Sequence, residues 1–433
     1  MNIAKAERYV AYKDSHLAWM GEIPKHWKFV RVKDLISKIT SGVTPRGGAE
    51  SYEAVGIPFL RSQNIHNDGL HLDKVSFISE RTHQEMLNSQ VKPGDIVFNI
   101  TGASIARTCI VPKAIKTANI SQHIALLRLR KLNETKFISY YLQSQLVKDY
   151  VYLTQNGASK EAFNHGQMKC IPVSLPIRPE QTSIAAYLDT KTSQIDRKID
   201  LLSQKAAQYG KLKQSLINET VTRGLDKSVP MKDSRVDWIG VVPEHWEIQR
   251  IGTAFEERSE KVNDTDYPPL SVSMAGIVPQ MDSVAKTDNN DNRKRVAVGD
   301  YVINSRSDRR GASGISIYDG SVSMISIVLA PKRDFFGKYL HHLFRSYSFI
   351  EEFYRVGRGI VDDLWTTRYS VMKSIEFSYP PYDEQEKIAD YLDEKITKID
   401  HIVTTINTQI DQLKELRKAL INDVVTGKIK VIN

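Results

Sequence analysis

The sequence has little cysteine and no long apolar run. Its 433 residues include only Cys109 and Cys170, which form no CxxC pair, and we therefore expect buried, unreactive thiols rather than a zinc or redox centre. No stretch approaches the roughly 20 apolar residues that span a bilayer, and the first residues lack the apolar core of a secretory signal. These absences predict a cytoplasmic protein with no membrane partner.

Motifs for catalysis are also missing. The sequence contains no Walker A motif and no glycine-rich S-adenosylmethionine loop after a predicted strand. SYPPYD (378–383) is similar to the [DN]PP[YF] motif of amino-methyltransferases, but Tyr379 stands where Asp or Asn would accept hydrogen bonds from the target amine. Prolines before a helix are a simpler explanation. His341 and His342 lack Cys or acidic partners at ligand spacing, and the DEK run at 393–395 fits a charged helix face. The sequence predicts no catalytic residue, no metal and no cofactor.

The charge balance is compatible with a polyanionic partner. There are 60 Lys and Arg against 51 Asp and Glu, a net charge of +9 with a pI near 9.2. Residues 28–179 carry 20 basic against 11 acidic residues, whereas residues 247–383 carry 18 against 19. In that second stretch basic residues cluster at 293–295 and 306–310, the kind of pattern that nucleic-acid binding uses.

Two phrases recur along the chain. WMGEIPKHW at residues 19–27 returns as WIGVVPEHW at residues 238–246, 219 positions later. EQTSIAAYLDTKTSQID (180–196) returns as EQEKIADYLDEKITKID (384–400), 204 positions later, and the LIN-x-x-VT segments that follow share this offset. A phrase of two Trp, a Gly, a Pro and a His does not recur by composition. We therefore infer a duplication of the whole chain around two diverged inserts.

Each EQ-x-x-IA-x-YLD block is predicted to begin a long helix of about 40 residues, or roughly 60 Å. Apolar residues follow at alternating spacings of four and three, the stripe of a coiled coil, and Gly224 and Gly427 mark where the helices would stop. The pairing positions are Ile195, Ile199, Leu202, Ala206, Tyr209, Ile399, Val403, Ile406, Ile410 and Leu413. Equivalent helices about a local two-fold axis run antiparallel. We favour this pairing within one chain over homodimerisation or a helix packed only on its own domain.

The two inserts are predicted to be related domains. VKPGDIVFN (91–99) and VAVGDYVIN (296–304) both place a Gly-Asp turn between apolar stretches, which is a hairpin signal, and helical segments and a closing strand follow in both. The predicted fold class is α+β, with two related domains, an antiparallel two-helix coiled coil and an internal pseudo-two-fold repeat. The predicted divisions are residues 1–179, a helix at 180–227, residues 228–383 and a helix at 384–433.

These paired motifs, in this duplicated order, resemble the specificity subunit of type I restriction–modification systems over the full length of the chain. The resemblance implies a non-catalytic subunit with two target-recognition domains, each reading half of an asymmetric bipartite sequence in double-stranded DNA. It also implies that the paired helices set the spacing and that two methylation subunits are partners. Adenine methyltransferase and ATP-dependent endonuclease activity would belong to other subunits, and the presence of two endonuclease–translocase subunits is left open.

The diverged loops are where we expect DNA contacts, because loops on a shared scaffold can change without changing the fold. Arg, Lys, Asn and Gln donate to phosphates and to base edges. In the first domain the candidates are Arg46, Arg61, Gln63, Asn64, Asn99, Arg107 and Lys160. In the second domain they are Ser273, Arg293, Lys294, Arg295, Asn304, Arg306, Arg309, Arg310, Arg358 and Arg368. Any one of them alone is more simply a solvated surface group, whereas the clusters favour DNA.

The repeated Trp/Pro/His/Trp phrase has two interpretations. By the resemblance it belongs to the frame that contacts the methylation subunits, and its docking candidates are Trp19, His26, Trp27, Trp238, His245 and Trp246. The tryptophans could equally be hydrophobic anchors at the entry to each domain, and both interpretations can hold together. Two other functions compete with DNA recognition: a stand-alone methyltransferase or nuclease, suggested only by YPPY, and a coiled-coil protein adaptor, against which the Arg-rich loops argue.

Overall fold

A computed structural model describes residues 7–17, 19–130, 135–154, 162–280, 291–358 and 365–431. The chain divides into two compact units: the first is Met1–Leu201 with Thr408–Asn433, and the second is Leu202–Asn407. Each unit therefore contains one insert together with parts of both long helices. None of the helices in the described ranges has the length and apolar character needed to cross a membrane.

The first unit is built on a four-stranded antiparallel sheet. Its strands lie in the order Thr108–Ile110, Ile96–Asn99, Ile124–Leu129 and Ile36–Ser41. A second sheet has the order Ser76–Ile78, Ile57–Leu60, Ala118–Ile120 and Gln90–Val91. The first unit also contains three strand pairs: Lys28–Arg31 with Pro172–Leu175, Tyr12–Asp14 with Glu22–Pro24, and Ile65–His66 with Gly69–Leu70. Its shorter α-helices are Val32–Leu35, Glu80–Glu85, Thr135–Gln143, Gln145–Thr154 and His165–Lys169.

The second unit repeats this plan. Its four-stranded sheet has the order Ser313–Ile315, Tyr301–Asn304, Ser326–Pro331 and Phe255–Glu257. A three-stranded sheet has the order Lys261–Val262, Arg293–Val296 and Gly320–Ser323. The second unit also contains three strand pairs: Glu247–Arg250 with Glu376–Tyr379, Met231–Asp233 with Val241–Pro243, and Leu270–Ser273 with Gly276–Pro279. Its shorter α-helices are Ile251–Ala254, Gly337–Phe344, Tyr347–Arg355 and Tyr369–Met372. The mixed helices and sheets agree with the predicted α+β class, and the matching order of the four-stranded sheets supports the predicted relation between the two units.

The Gly-Asp turns predicted from the sequence precede equivalent strands in both units. Asp95 accepts two hydrogen bonds from Arg128, at 2.7 and 2.6 Å, and Asp300 accepts two from Arg258, at 2.7 and 3.1 Å. Each carboxylate also accepts a backbone N–H from its own turn, and the glycine before it has a positive φ. Both aspartates are buried, so the paired guanidinium groups compensate for their lost hydration.

The two long helices span Arg178–Arg223 and Tyr382–Val425 and are named here the first and second long helix. They contain 46 and 44 residues, which corresponds to about 65–70 Å at roughly 1.5 Å per residue, slightly more than expected. The predicted boundaries at 180 and 384 lie two residues inside these helices. Gly224 and Gly427, both with positive φ, follow the helix ends as predicted.

Within each unit the two long helices run antiparallel. In the first unit Arg417 Nε lies 3.0 Å from Asp196 Oδ1, and in the second unit Lys213 Nζ lies 2.8 Å from Asp400 Oδ2. In the second unit a Cβ added to Gly224 would lie 3.1 Å from Glu384 Oε1. From this contact to the Lys213–Asp400 pair, the position on the first long helix falls from 224 to 213 while that on the second rises from 384 to 400. This register supports antiparallel pairing of the two helices within that unit.

The predicted apolar stripe is the least exposed face along the middle of both helices. Ile195, Ile399, Ile406 and Ile410 are buried. The other six positions, Ile199, Leu202, Ala206, Tyr209, Val403 and Leu413, are half-buried, and most residues between them are exposed. Burial of this stripe is the main source of stability that the pairing can offer, because a lone helix would leave it in water.

Candidate nucleic-acid interface

The repeated Trp/Pro/His/Trp phrase holds the start of a long helix. In the first unit the buried indole of Trp27 donates its Nε1–H to Glu180 Oε1 at 3.1 Å, and His26 Nε2 lies 2.8 Å from Glu180 Oε2. In the second unit Trp246 donates to Glu384 Oε1 at 3.2 Å, and His245 Nε2 lies 2.7 Å from its Oε2. We name each of these groups a glutamate clamp.

Each glutamate clamp acts on the first turn of a helix. Glu180 and Glu384 are two residues beyond the first residues of their helices, where the helix dipole favours a negative charge. The next residues, Gln181 and Gln385, donate side-chain hydrogen bonds to the carbonyls of Pro176 and Pro380, at 2.8 and 2.9 Å. The EQ pair of the repeat therefore fixes the angle at which each helix leaves its domain.

The same tryptophans contact the end of the other long helix. A Cβ added to Gly427 would lie 3.2 Å from the Trp27 ring, and one added to Gly224 would lie 3.3 Å from the Trp246 ring. In the first unit the Tyr12 hydroxyl also donates to the Gly427 carbonyl at 3.0 Å. Each clamp thus joins the start of one long helix to the end of the other.

The docking role predicted for the Trp/Pro/His/Trp phrase requires side chains that a partner can reach, and only some of its residues are accessible. Trp27 and Trp246 are fully buried and cannot offer a surface to a partner, which supports the hydrophobic-anchor interpretation for them. Trp19 and Trp238 are half-buried. Trp19 packs against Tyr150 with ring centroids 5.7 Å apart, and Trp238 packs against Phe349 with ring centroids 5.8 Å apart. The two histidines, His26 and His245, are exposed.

The sequence analysis did not identify Glu180 and Glu384 as the partners of the Trp and His side chains. It also missed a further part of the repeat. Lys13 and Lys232 donate Nζ hydrogen bonds to the carbonyls of Trp27 and Trp246, both at 2.6 Å. The signal was present, because KDS occurs at residues 13–15 and again at 232–234, with the same offset of 219 as the Trp phrase. The duplicated frame therefore begins before the tryptophans.

The first-unit candidates for DNA contact separate into exposed and buried groups. Arg46, Gln63 and Arg107 are exposed, and Arg61 is half-buried with its guanidinium 5.6 Å from the Tyr52 ring centroid. Among the described residues, Arg46 and Arg107 have no side-chain hydrogen-bond or ion-pair partner. Lys160 lies outside the described residues.

Asn64 and Asn99 are buried. Asn64 accepts from the Arg61 amide at 2.9 Å and donates to the His71 carbonyl at 2.9 Å. Asn99 donates to the Ser62 carbonyl at 2.9 Å and to Ser104 at 3.1 Å. Their amides are therefore used in shaping the loops that carry the exposed candidates.

In the second unit three of the candidate cations, Arg306, Arg309 and Arg310, lie on one turn. The turn joins the strand Tyr301–Asn304 to the strand Ser313–Ile315 and contains a short 3-10 helix, Ser307–Arg309. Arg309 is exposed, and no described residue forms a hydrogen bond or ion pair with its side chain. Arg310 lies 3.1 Å from Glu351, which leaves part of its guanidinium available.

Beside this turn is a cavity of about 230 Å³. Arg306 and Arg309 line it together with Ser271, Gln280, Asn304 and Ser323. Arg306 is half-buried and lies 3.5 Å from Asp308. Arg293 and the carboxylate of Asp308 also line this cavity. Its guanidinium groups, hydroxyls and amides are the kind of donors from which base edges and phosphates accept hydrogen bonds.

The other second-unit candidates differ in their surroundings. Arg358 and Arg368 are exposed. Asn304 is buried, and its Oδ1 accepts from the Arg306 amide at 3.1 Å. The Ser273 hydroxyl donates to the Gly276 carbonyl at 3.0 Å, within the turn of its own hairpin.

The run at 293–295 forms a strand rather than an exposed loop. The buried Arg293 donates to the hydroxyl and the carbonyl of Ser321, at 2.8 and 3.0 Å, and burial lowers its pKa. Lys294 is buried and pairs with Glu257 at 2.7 Å, and Arg295 is half-buried and pairs with Glu260 at 3.1 Å. These three side chains stabilise the sheet in this structure.

The catalytic lookalike SYPPYD is a structural element. Tyr379 is buried in the closing strand, its hydroxyl donates to Glu247, and burial raises its pKa to about 12. Pro381 directly precedes the second long helix, as the simpler explanation requires. His342 Nε2 lies 2.8 Å from Asp393 Oδ1, an acidic partner that the sequence did not reveal.

Comparison with known proteins agrees with this architecture. A family model described as "Type I restriction modification DNA specificity domain" matches residues 24–208. One relative, from Methanocaldococcus jannaschii, is described as the "Putative type I restriction enzyme MjaX specificity subunit". It is 23% identical, and the match covers 95% of this chain and 96% of the relative.

Solved structures share the fold. One, described as the structural basis of complex assembly and conformational transition of the type I R-M system, has a TM-score of 0.69 at 14% identity, covering 93% of this chain and 98% of its own. The HsdS subunit from Thermoanaerobacter tengcongensis has a TM-score of 0.52 at 14% identity, covering 94% and 98%. Residues 24–208 are thus similar to the DNA specificity domain of type I restriction–modification systems, and the chain is similar over nearly its full length to a type I specificity subunit, the family that its repeated motifs resemble.

Proposed function

We propose that this chain is the DNA-reading subunit of a type I restriction–modification complex, and that each unit reads one half of an asymmetric bipartite site in double-stranded DNA. One observation carries the proposal: equivalent turns on matching sheets expose different side chains. In the first unit the turn at 100–107 exposes Arg107, and in the second unit the turn at 305–312 exposes Arg309 and Arg310. Unlike donors recognise unlike bases, so the two half-sites should differ.

In the first unit we propose that Arg46, Arg61, Gln63 and Arg107 contact DNA. Arg46 and Arg107, exposed and without partners among the described residues, can bind phosphate or the O6 and N7 atoms of guanine. Gln63 is exposed, and its amide can pair with adenine. Lys160 is retained from the sequence as a further candidate.

In the second unit the proposed contacts are Arg306, Arg309, Arg310, Arg358 and Arg368. The cavity lined by Arg306 and Arg309 supports a role in base recognition for these two. Five other candidates serve the loops and the sheet in this proposal, namely Ser273, Arg293, Lys294, Arg295 and Asn304, because their side chains are bonded within the unit. Asn64 and Asn99 have the same supporting role in the first unit.

The long helices have two roles in the proposal. They set the spacing between the half-sites, which requires a stiff connection such as a paired coiled coil, and with the clamps they form the frame on which two methylation subunits dock. The exposed histidines of the clamps, His26 and His245, and the half-buried Trp19 and Trp238 are the proposed docking residues. Adenine methylation, and ATP-dependent cleavage where two endonuclease–translocase subunits join, belong to those partners in the cytoplasm.

The experiment that tests this function uses the chain alone and assembled with its methylation subunits. The assembled complex should bind duplex DNA with an affinity that falls steeply with salt, because phosphate contacts release counterions. A salt-independent or absent interaction would favour a protein adaptor. The chain alone should transfer no methyl group from labelled S-adenosylmethionine to DNA, and transfer without a partner would show that it is a methyltransferase itself.

A further inference from the structure

A hairpin in the first unit brings three metal-binding side chains together. It pairs Ile65–His66 with Gly69–Leu70, and the donor atoms of His66, Asp68 and His71 all lie within 4.8 Å of one another. His71 Nε2 is 3.2 Å from Asp68 Oδ1. Neighbouring donors around a tetrahedral ion are about 3.3 Å apart when the bonds are roughly 2.0–2.1 Å long, so this pair needs little adjustment.

The protonation of His66 is already suited to a metal ion. Its Nε2 lies 2.9 Å from the Gln63 carbonyl oxygen, and a carbonyl can only accept, so Nε2 carries the proton. Nδ1 then keeps its lone pair. Histidines that bind metals commonly donate their other N–H to a carbonyl or carboxylate, which fixes the ring and makes it a better ligand.

The backbone of the hairpin is held in place without any ion. Asn64 donates its side-chain amide to the His71 carbonyl at 2.9 Å, and the His71 amide donates to the Asn64 carbonyl at 2.9 Å. Asn67 Oδ1 accepts from the Thr108 amide at 3.0 Å. The imidazoles of His66 and His71 stack with centroids 4.0 Å apart and planes 13° apart, so one ring must rotate out of the stack before lone pairs of both reach the same ion. Binding would therefore reorient a side chain but require little ordering of the backbone.

The site is open to solvent. The side chains of His71 and Asp68 are 47% and 54% exposed, which leaves a path for an ion and room for water ligands. We propose that His66, Asp68 and His71 bind one divalent transition-metal ion of the zinc class. Two imidazoles and one carboxylate suit Zn²⁺, whereas Mg²⁺ and Ca²⁺ prefer all-oxygen sets.

The proposal differs from the sequence prediction of no metal, because no zinc-finger spacing marks these residues. In HNDGLH (66–71) the Asn-Asp-Gly segment is a turn signal, and a turn brings the flanking histidines close together. The site is independent of the proposed DNA function, since no step in its argument uses DNA.

Calorimetric titration of the tag-free, full-length chain with zinc chloride tests the site. We expect one ion per chain, a loss of affinity of at least about tenfold in the His66→Gln/His71→Gln double variant, and a smaller loss in Asp68→Asn. Magnesium chloride should give no binding. The variants Cys170→Ser and His401→Gln remove other exposed donors and should bind like the wild type.

Two results would overturn the metal site: no zinc uptake by the wild-type chain, or the same affinity in wild type, double variant and Asp68→Asn. Circular dichroism confirms that each variant is folded, and Asp68→Asn provides a second readout if the double variant is not. Because the titration contains no DNA, a negative result leaves the proposed DNA recognition standing.

Discussion

Arg417 on the second long helix lies 3.0 Å from Asp196 on the first. This ion pair, 221 positions apart in the sequence, marks the register of the two helices at this point of the first unit. Arg417 is only 15% exposed whereas Asp196 is 42% exposed, so the pair is partly screened by solvent and its contribution is modest.

A charge exchange tests this register. Asp196→Arg should lower the free energy of unfolding by about 0.5–1 kcal/mol, because it places two guanidinium groups together. Adding Arg417→Asp should restore most of that loss, and the coupling is measured in a double-mutant cycle by urea unfolding. Asp196→Arg combined with Arg81→Asp, an exposed site on the helix Glu80–Glu85, should show no coupling. Equal coupling in both cycles would contradict the pairing.

The glutamate clamps predict a graded loss of stability. Glu180→Ala leaves the buried Nε1–H of Trp27 without an acceptor, which should cost about 1–3 kcal/mol. Glu180→Gln keeps an oxygen acceptor and should cost less. Glu384→Ala should cost less than Glu180→Ala, because only Glu180 also accepts from a tyrosine, Tyr9, at 2.6 Å.

Chemical unfolding followed by tryptophan fluorescence measures these differences. Glu386→Ala is the matched control, since Glu386 is an exposed glutamate on the same helix as Glu384, and it should change stability by less than about 0.5 kcal/mol. If Glu180→Ala were as mild as this control, the bond between Trp27 and Glu180 would not stabilise the first unit.

The second-unit turn predicts a change in DNA selectivity. Replacing Arg306, Arg309 and Arg310 with Ala in the assembled complex should abolish discrimination at one half-site, at about 1–3 kcal/mol for each lost bidentate base contact. Each lost phosphate contact should also reduce the salt slope by about one. Competition binding with DNA altered in either half-site measures the effect. Arg250→Ala, an exposed cation paired with Glu376, should leave selectivity unchanged.

Acid should destabilise the second unit through His341. Burial lowers the pKa of its side chain to about 4, and Arg345 donates to its Nε2 at 3.3 Å, which requires a neutral ring. The unfolded state, with an ordinary pKa near 6.5, binds more protons below that pH. The free energy of unfolding should therefore fall as pH drops from about 6.5 to about 4, by up to about 3 kcal/mol.

His341→Gln should flatten part of this pH dependence, measured by urea unfolding between pH 7 and pH 4. A residual slope should remain from His342, whose pKa burial also lowers. The exposed His401 offers the control, and His401→Gln should keep the wild-type slope. An unchanged slope in His341→Gln would show that this ring does not titrate as described.

The long helices and the turns before the central strands were predictable from the sequence, because each depends on a local pattern of residues. The four–three spacing around Ile195 and Ile399 predicts a buried stripe wherever the partner lies, and the repeat favoured the chain's own second copy as that partner. The Gly-Asp turns before Asp95 and Asp300 were equally visible, since turn chemistry depends on neighbouring residues.

Which of the candidate contacts are exposed could not be predicted from the sequence, because exposure depends on residues far along the chain. Arg293 and Lys294 looked like an exposed basic cluster, but Ser321 and Glu257 bond them inside a sheet. Trp27 gave no sign that its acceptor stands 153 positions later. Pairings at such separations are set by the tertiary fold and leave no periodic signal.

The central claim is that two unlike units read two unlike half-sites at a fixed spacing. Sequencing the methylated adenines in DNA modified by the assembled complex tests this claim most directly. The account predicts two different sequence blocks separated by a gap of constant length at every modified site. One continuous or palindromic block, or a gap that varies from site to site, would contradict it.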